Sequence, residues 1–203
     1  EEAYRLYPRE DARHIFTHVG MPTQENLETM KRLGIIADLQ VGRYYSMADD
    51  AEERYQVNPD RPDLGPNPVG TYRDAGIPLT LSSDQAPIGP LFGIWSAVNR
   101  VRKSGKVFRP EERLTLEEAI RAYTYSPAWA FFEEDLKGSI EVGKYADLVV
   151  LGRDILTVDP LEIKDIPVLR TMTNGKFVYL NPDQNPNQEV VYYRYPARTP
   201  FLQ

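Results

Sequence analysis

Residues 77–84 read Ile-Pro-Leu-Thr-Leu-Ser-Ser-Asp, an apolar run with strand propensity that ends in a carboxylate. Gln85, Ala86 and Pro87 follow, so the strand does not continue. An acid at the carboxyl end of a buried strand is where a parallel α/β fold places its chemistry. The chain has no cysteine, which leaves His, Asp and Glu as the available metal ligands. Its two histidines, His14 and His18, lie together in the segment 12–19. His18 and Asp84 are 66 positions apart. A (β/α)₈ barrel spends roughly 31 residues per unit. Two units therefore separate the pair, which puts both at the carboxyl ends of strands two apart. Any parallel α/β sheet would show the same spacing.

The elements that must position these residues follow an alternating pattern. Residues 12–19 read as a strand. Thr23 is the expected N-cap of a helix whose face carries Leu27, Met30 and Leu33 and which ends at Gly34. Residues 35–39 form a second apolar strand, and a proline-rich loop covers 42–68, with a helical turn or two around 48–54. Residues 72–76 resemble a helix end, and 77–82 form the third strand. Helices are expected over 90–104 and 115–132, the second started by a box at Thr115 one position off the strict form and broken at Pro127. Strand, helix, strand, helix, strand is the order of parallel α/β folds. Beyond Gly138 short strands are expected at 139–140, 148–151, 168–173 and 176–180, with Asn174-Gly175 as a two-residue hairpin turn. The expected division is an α/β part over 1–137, a small β part over 138–180 and an irregular tail over 181–203.

Composition sets outer bounds. The chain has 203 residues, 41% hydrophobic and 27% charged, enough for one domain or a part of a larger one. A net charge of -6 and the lack of a basic run argue against nucleic acid. No apolar run approaches the ~20 residues of a membrane span. The chain opens Glu1-Glu2-Ala3-Tyr4 with no initiator Met, and in a piece of a longer chain a missing signal says nothing about compartment; a cytoplasmic location is the expectation.

Several motifs together resemble the amidohydrolase superfamily, and within it the amidohydrolase 3 group. Residues 138–151, GSIEVGKYADLVVL, look like the segment where that superfamily leaves its barrel for a small β-sandwich. Residues 168–171 with 174–179 look like its closing hairpin, and 114–124 resemble the group's last barrel helix. Residues 81–87 are similar to the eighth-strand motif that delivers a metal-binding aspartate, and 13–18 look like the sixth-strand histidine motif. The group usually carries a glutamate before that histidine, where this chain has Thr17. The superfamily's first-strand His-x-His, its bridging lysine or glutamate and its fifth-strand histidine have no counterpart here. The resemblance thus implies the carboxyl-terminal part of a (β/α)₈ TIM barrel, about strands 6–8, followed by strands of a small β-sandwich.

It also implies metal-dependent hydrolysis of carbon–nitrogen bonds in non-peptide amides or cyclic amides by a metal-activated water. The ion is a divalent metal, expected to be Zn²⁺, with one or two ions left open. Asp84 would be metal ligand and general base, returning the proton to the leaving nitrogen. His18 would be a metal ligand or a donor to the developing oxyanion. Arg43 and Tyr44, after the second strand, are candidates for binding a small-molecule substrate, with Tyr45 beside them. The bland readings stand alongside: a strand-end cap for Asp84, a core or strand-end histidine for His18, and a surface loop for 43–45. His14 is expected to be structural and deep in the barrel. Trp95, Trp129, Phe131 and Phe132 are expected in core or interface, and the acids at 111–112, 117–118 and 133–135 on solvated helix faces. The expected partner is the missing amino-terminal half of the barrel, with a homo-oligomer left open. The rivals are a degenerate structural half-barrel and a non-hydrolytic, isomerase-type relative.

Overall fold

A computed structural model describes residues 1–43, 45, 67–84 and 89–183. Tyr44, most of the loop after Gly42, residues 85–88 and the tail from 184 lie outside the described residues. The elements run α1 (Glu2–Leu6), β1 (Ile15–Thr17), α2 (Gln24–Leu33), β2 (Ile36–Leu39), α3 (Val69–Asp74), β3 (Leu79–Leu81), α4 (Pro90–Asn99), α5 (Leu116–Tyr123), α6 (Tyr125–Ala130), β4 (Leu148–Leu151), β5 (Val168–Thr173) and β6 (Lys176–Leu180). Among the described residues no helix is long and apolar enough to cross a membrane.

β1, β2 and β3 form a parallel sheet in that order, with Thr17 opposite Asp38 and Asp38 opposite Thr80. Residues in register share a face. Ala37, Leu39 and Leu81 therefore face one way, into a core with Leu27 and Met30 of α2, Ile94 and Trp95 of α4, and Ala119 and Ala122 of α5. Asp38 and Thr80 face the other way. The strands at 12–19 and 77–82 are shorter than expected. Arg13 and His18 carry φ values of 44° and 63°, outside the β region, and so bound β1.

Helix ends follow local chemistry. Thr23 and Asn26 exchange side-chain-to-backbone hydrogen bonds at the start of α2, and Gly34 closes it at φ 63°. Thr115 and Glu118 make the same exchange, so this box is in strict register rather than one position off. α4 stops at Asn99, short of residue 104. Arg100 turns left-handed at φ 54°, and a short bridge, Val101 to Val107, carries the chain back. The break between α5 and α6 falls at Thr124 rather than Pro127. Pro127 lacks an N–H and its ring crowds the carbonyl one turn upstream, so it sits in the first turn of a new helix.

β4, β5 and β6 form an antiparallel meander. Asn174 and Gly175 turn β5 into β6 with φ 48° and 75°, the positive pair that a two-residue hairpin requires. Residues 139–140 are not a strand. Lys144 donates to the Ser139 hydroxyl at 2.6 Å and Ser139 donates to Glu141 at 2.5 Å, which closes a polar turn in place of a ladder.

Three placements differ from expectation. Glu112 is buried rather than solvated, accepting from the Thr71 amide at 2.8 Å and the Thr71 hydroxyl at 2.6 Å. His14 is exposed, its ring edge-on to Tyr4 at 5.5 Å between centroids. Phe131 is 67% exposed, outside the core. Trp95 is buried as expected, donating to the Leu161 carbonyl at 2.9 Å. Trp129 and Phe132 flank the Arg13 guanidinium at 4.5 and 4.2 Å from their ring centres.

Candidate active site

The carboxyl ends of β2 and β3 carry a connected set of polar side chains. Asp38, near the end of β2, accepts from the Thr80 hydroxyl on one oxygen at 3.0 Å. Its other oxygen accepts from the Ser82 hydroxyl at 3.0 Å and from the Gln40 amide at 2.9 Å. Gln40 also donates to the Ser82 hydroxyl oxygen at 2.7 Å. Thr80 and Gln40 are buried, so these bonds form away from bulk water and leave little freedom to the strand tips.

Above this layer Asp84 leaves the strand direction at φ 53°. Arg43, held in a turn by its amide to the Gln40 carbonyl, donates to the Asp84 carboxylate at 2.6 Å. The pair stands at the rim, with side chains 37% and 28% exposed, open to an incoming molecule while their charges stay matched. Tyr123 of α5 closes the back, its hydroxyl donating to the Ser82 carbonyl at 3.2 Å. Burial pushes the Tyr123 hydroxyl up to about 12.

His18 goes elsewhere. Its amide donates to the Asp38 carbonyl at 3.1 Å, but its ring lines a cleft of about 640 Å³ with Phe16, Met21, Asn26 and Tyr72, on the α2 side of β1. Among the described residues no hydrogen bond or ion pair joins His18 to Asp84. The structure thus brings Arg43 and Asp84 together and leaves His18 apart. Tyr45 packs edge-on against Phe92 and Trp95, at 5.4 and 5.7 Å. The Asp38 cluster was not foreseen. Its only trace in the sequence is an acid inside an apolar strand, and the alternation of Thr80, Ser82 and Asp84.

A family model described as "Amidohydrolase family" matches residues 1–179. A putative amidohydrolase, YtcJ of Bacillus subtilis, is 30% identical over 183 residues, covering 87% of this chain and 34% of its own length. The chain belongs to the amidohydrolase family. An N-substituted formamide deformylase of Arthrobacter pascens is 40% identical to this amidohydrolase chain over 115 residues, 55% of the chain and 21% of the relative. Among solved structures, an adenosine deaminase of Xanthomonas campestris with bound zinc superposes at a TM-score of 0.59 and 17% identity, over 88% of this chain and 42% of that one. The shared fold is the mixed α/β arrangement of the superfamily's barrels. The chain spans about a third or less of the two curated relatives' own length.

The Xanthomonas neighbour holds zinc, and a protein site for such an ion needs three or four ligands. Among the described residues no group of three or more His, Asp or Glu side chains comes together. Asp84 is engaged by Arg43, and His18 turns toward α2. The described residues do not by themselves fit a metal ion.

Proposed function

We propose that this amidohydrolase chain is the carboxyl-terminal part of a (β/α)₈ barrel, about strands 6–8, with strands of a small β-sandwich after it. The enzyme it belongs to hydrolyses carbon–nitrogen bonds in non-peptide amides or cyclic amides. It depends on a divalent ion, expected to be zinc, for which Asp84 is the ligand this arrangement offers; His18, the other expected ligand, would have to turn from the cleft beside α2 to join it. Its remaining ligands come from the other strands of the barrel, the partner with which this chain is active.

The observation that carries this reading is the Asp84–Arg43 pair, set at the carboxyl ends of a parallel sheet in a chain of this family. A carboxylate exposed at the rim can take a proton from an attacking water and return it to the leaving nitrogen. Arg43 beside it fixes its direction through the 2.6 Å contact. Arg43 also lies within reach of the substrate's polar groups.

The test uses the full-length enzyme on a panel of formamides, acyclic amides and cyclic amides, with metal content measured by elemental analysis. Asp84→Asn should lower kcat at least about 100-fold, as expected for loss of a general acid–base group. Wild-type turnover by Asp84→Asn across that panel would sink the proposal. A second reading, a structural half-barrel without catalysis, is favoured by Thr17 before His18 and by the ion pair that already occupies Asp84. Metal-free full-length protein, inactive on the whole panel, would favour it.

A further inference from the structure

The residue that bears the proposed chemistry sits in a conformation that needs support. Asp84 has φ 53°, a region that residues with a Cβ seldom adopt. What holds it there is the strand tip just before it. Ser82 is fixed from three directions. Its amide donates to the Leu39 carbonyl at 3.0 Å, its carbonyl accepts from Tyr123 at 3.2 Å, and its hydroxyl donates to Asp38 at 3.0 Å. Thr80, two positions earlier on the same face, donates to the other Asp38 oxygen at 3.0 Å. Gln40 reaches both Asp38 and Ser82 and locks the angle between them.

Asp38 is the hub. Three donors from two strands converge on its two oxygens, and it forms no ion pair among the described residues. A carboxylate can accept all three, whereas an asparagine amide offers one oxygen only. A purely apolar strand would bond its neighbour through the backbone alone. Here the side-chain layer ties alternate residues 80 and 82 of one strand to its neighbour, and residue 84 is next in the series.

We propose that Asp38 is a positioning residue for Asp84: it clamps the end of β3 so that the chain turns at Asp84 with the carboxylate set against Arg43. This rests on the reading of Asp84 as the proton-transfer group, and it adds a residue that acts only through Asp84. Loosening the clamp leaves Arg43 and the outer surface in place but lets the carboxylate wander from its working position.

The experiment compares four forms of the full-length enzyme on one substrate: wild type, Asp38→Asn, Asp84→Asn and the double variant. Asp38→Asn should lower kcat about 10- to 100-fold with KM within about threefold of wild type. In the Asp84→Asn background the same change should cost less than about twofold, because the group it positions is already gone. Equal losses in both backgrounds, or an unchanged kcat in Asp38→Asn, would overturn the role of Asp38 while leaving that of Asp84 standing. Wild-type turnover in Asp84→Asn would instead overturn the reading of Asp84 and the positioning role with it. If Asp38→Asn fails to fold, Ser82→Ala serves in the same comparison, since it removes one hydroxyl and keeps the carboxylate.

Discussion

Tyr123 shows how closely one side chain can be committed. A Cβ placed on Gly93 would lie 1.8 Å from the Tyr123 hydroxyl, so only glycine lets α4 approach that oxygen. The hydroxyl is enclosed there and gives its proton to the Ser82 carbonyl. The neutral form is favoured, with the ionisation pushed up to about 12 from an ordinary 10.0. Below the unfolded value both states keep the proton and nothing changes with pH. Between the two values the unfolded chain loses its proton first, so stability falls as pH rises, by at most about 1.4 kcal/mol per pH unit. Burial raises Tyr72 in the same direction. Tyr123→Phe should therefore flatten the decline in melting temperature across the alkaline range, measured by calorimetry as a pH series. An unchanged slope would show that the hydroxyl is not held neutral.

Individual elements were legible where their determinants are neighbours in sequence. Thr23 and Gly34 bracket α2, Asn174-Gly175 turns β5 into β6, and each signal lies within three residues of the partner it serves. Thr115→Ala should cost about 1 kcal/mol, since it removes the acceptor for the Glu118 amide. It would appear as a lower denaturant midpoint at unchanged slope, and Thr115→Ser should restore most of it. Where the partner is distant, the sequence was mute. Asp38 meets Thr80 and Ser82 some 42 and 44 positions away, and nothing in an apolar strand announces those bonds. Glu112 read as a solvated acid because Thr71, its donor, comes 41 residues earlier. His18 was set at the site by strand spacing. His18 is left-handed at φ 63° and lines the cleft beside α2, a single dihedral that spacing does not encode. At residues 139–140 the partners are local instead: Ser139 bonds Glu141 and Lys144 in a turn where the sequence suggests a strand.

For the whole molecule, the parallel sheet and the antiparallel meander are built from segments that follow one another along the chain. Among the described residues Arg13 ties distant segments together. It lies between Trp129 and Phe132, pairs with Glu134 at 2.7 Å and donates to the Trp129 carbonyl, 116 residues along. That clamp has a kinetic meaning. Closing a flexible loop of that length costs about 4 kcal/mol of chain entropy, so the contact belongs to the late side of the folding barrier. Arg13→Ala should speed unfolding by about the full equilibrium loss while leaving the refolding rate nearly untouched, which stopped-flow chevrons would resolve. This mostly enclosed side chain would then set how long the folded molecule lasts, rather than how fast it forms.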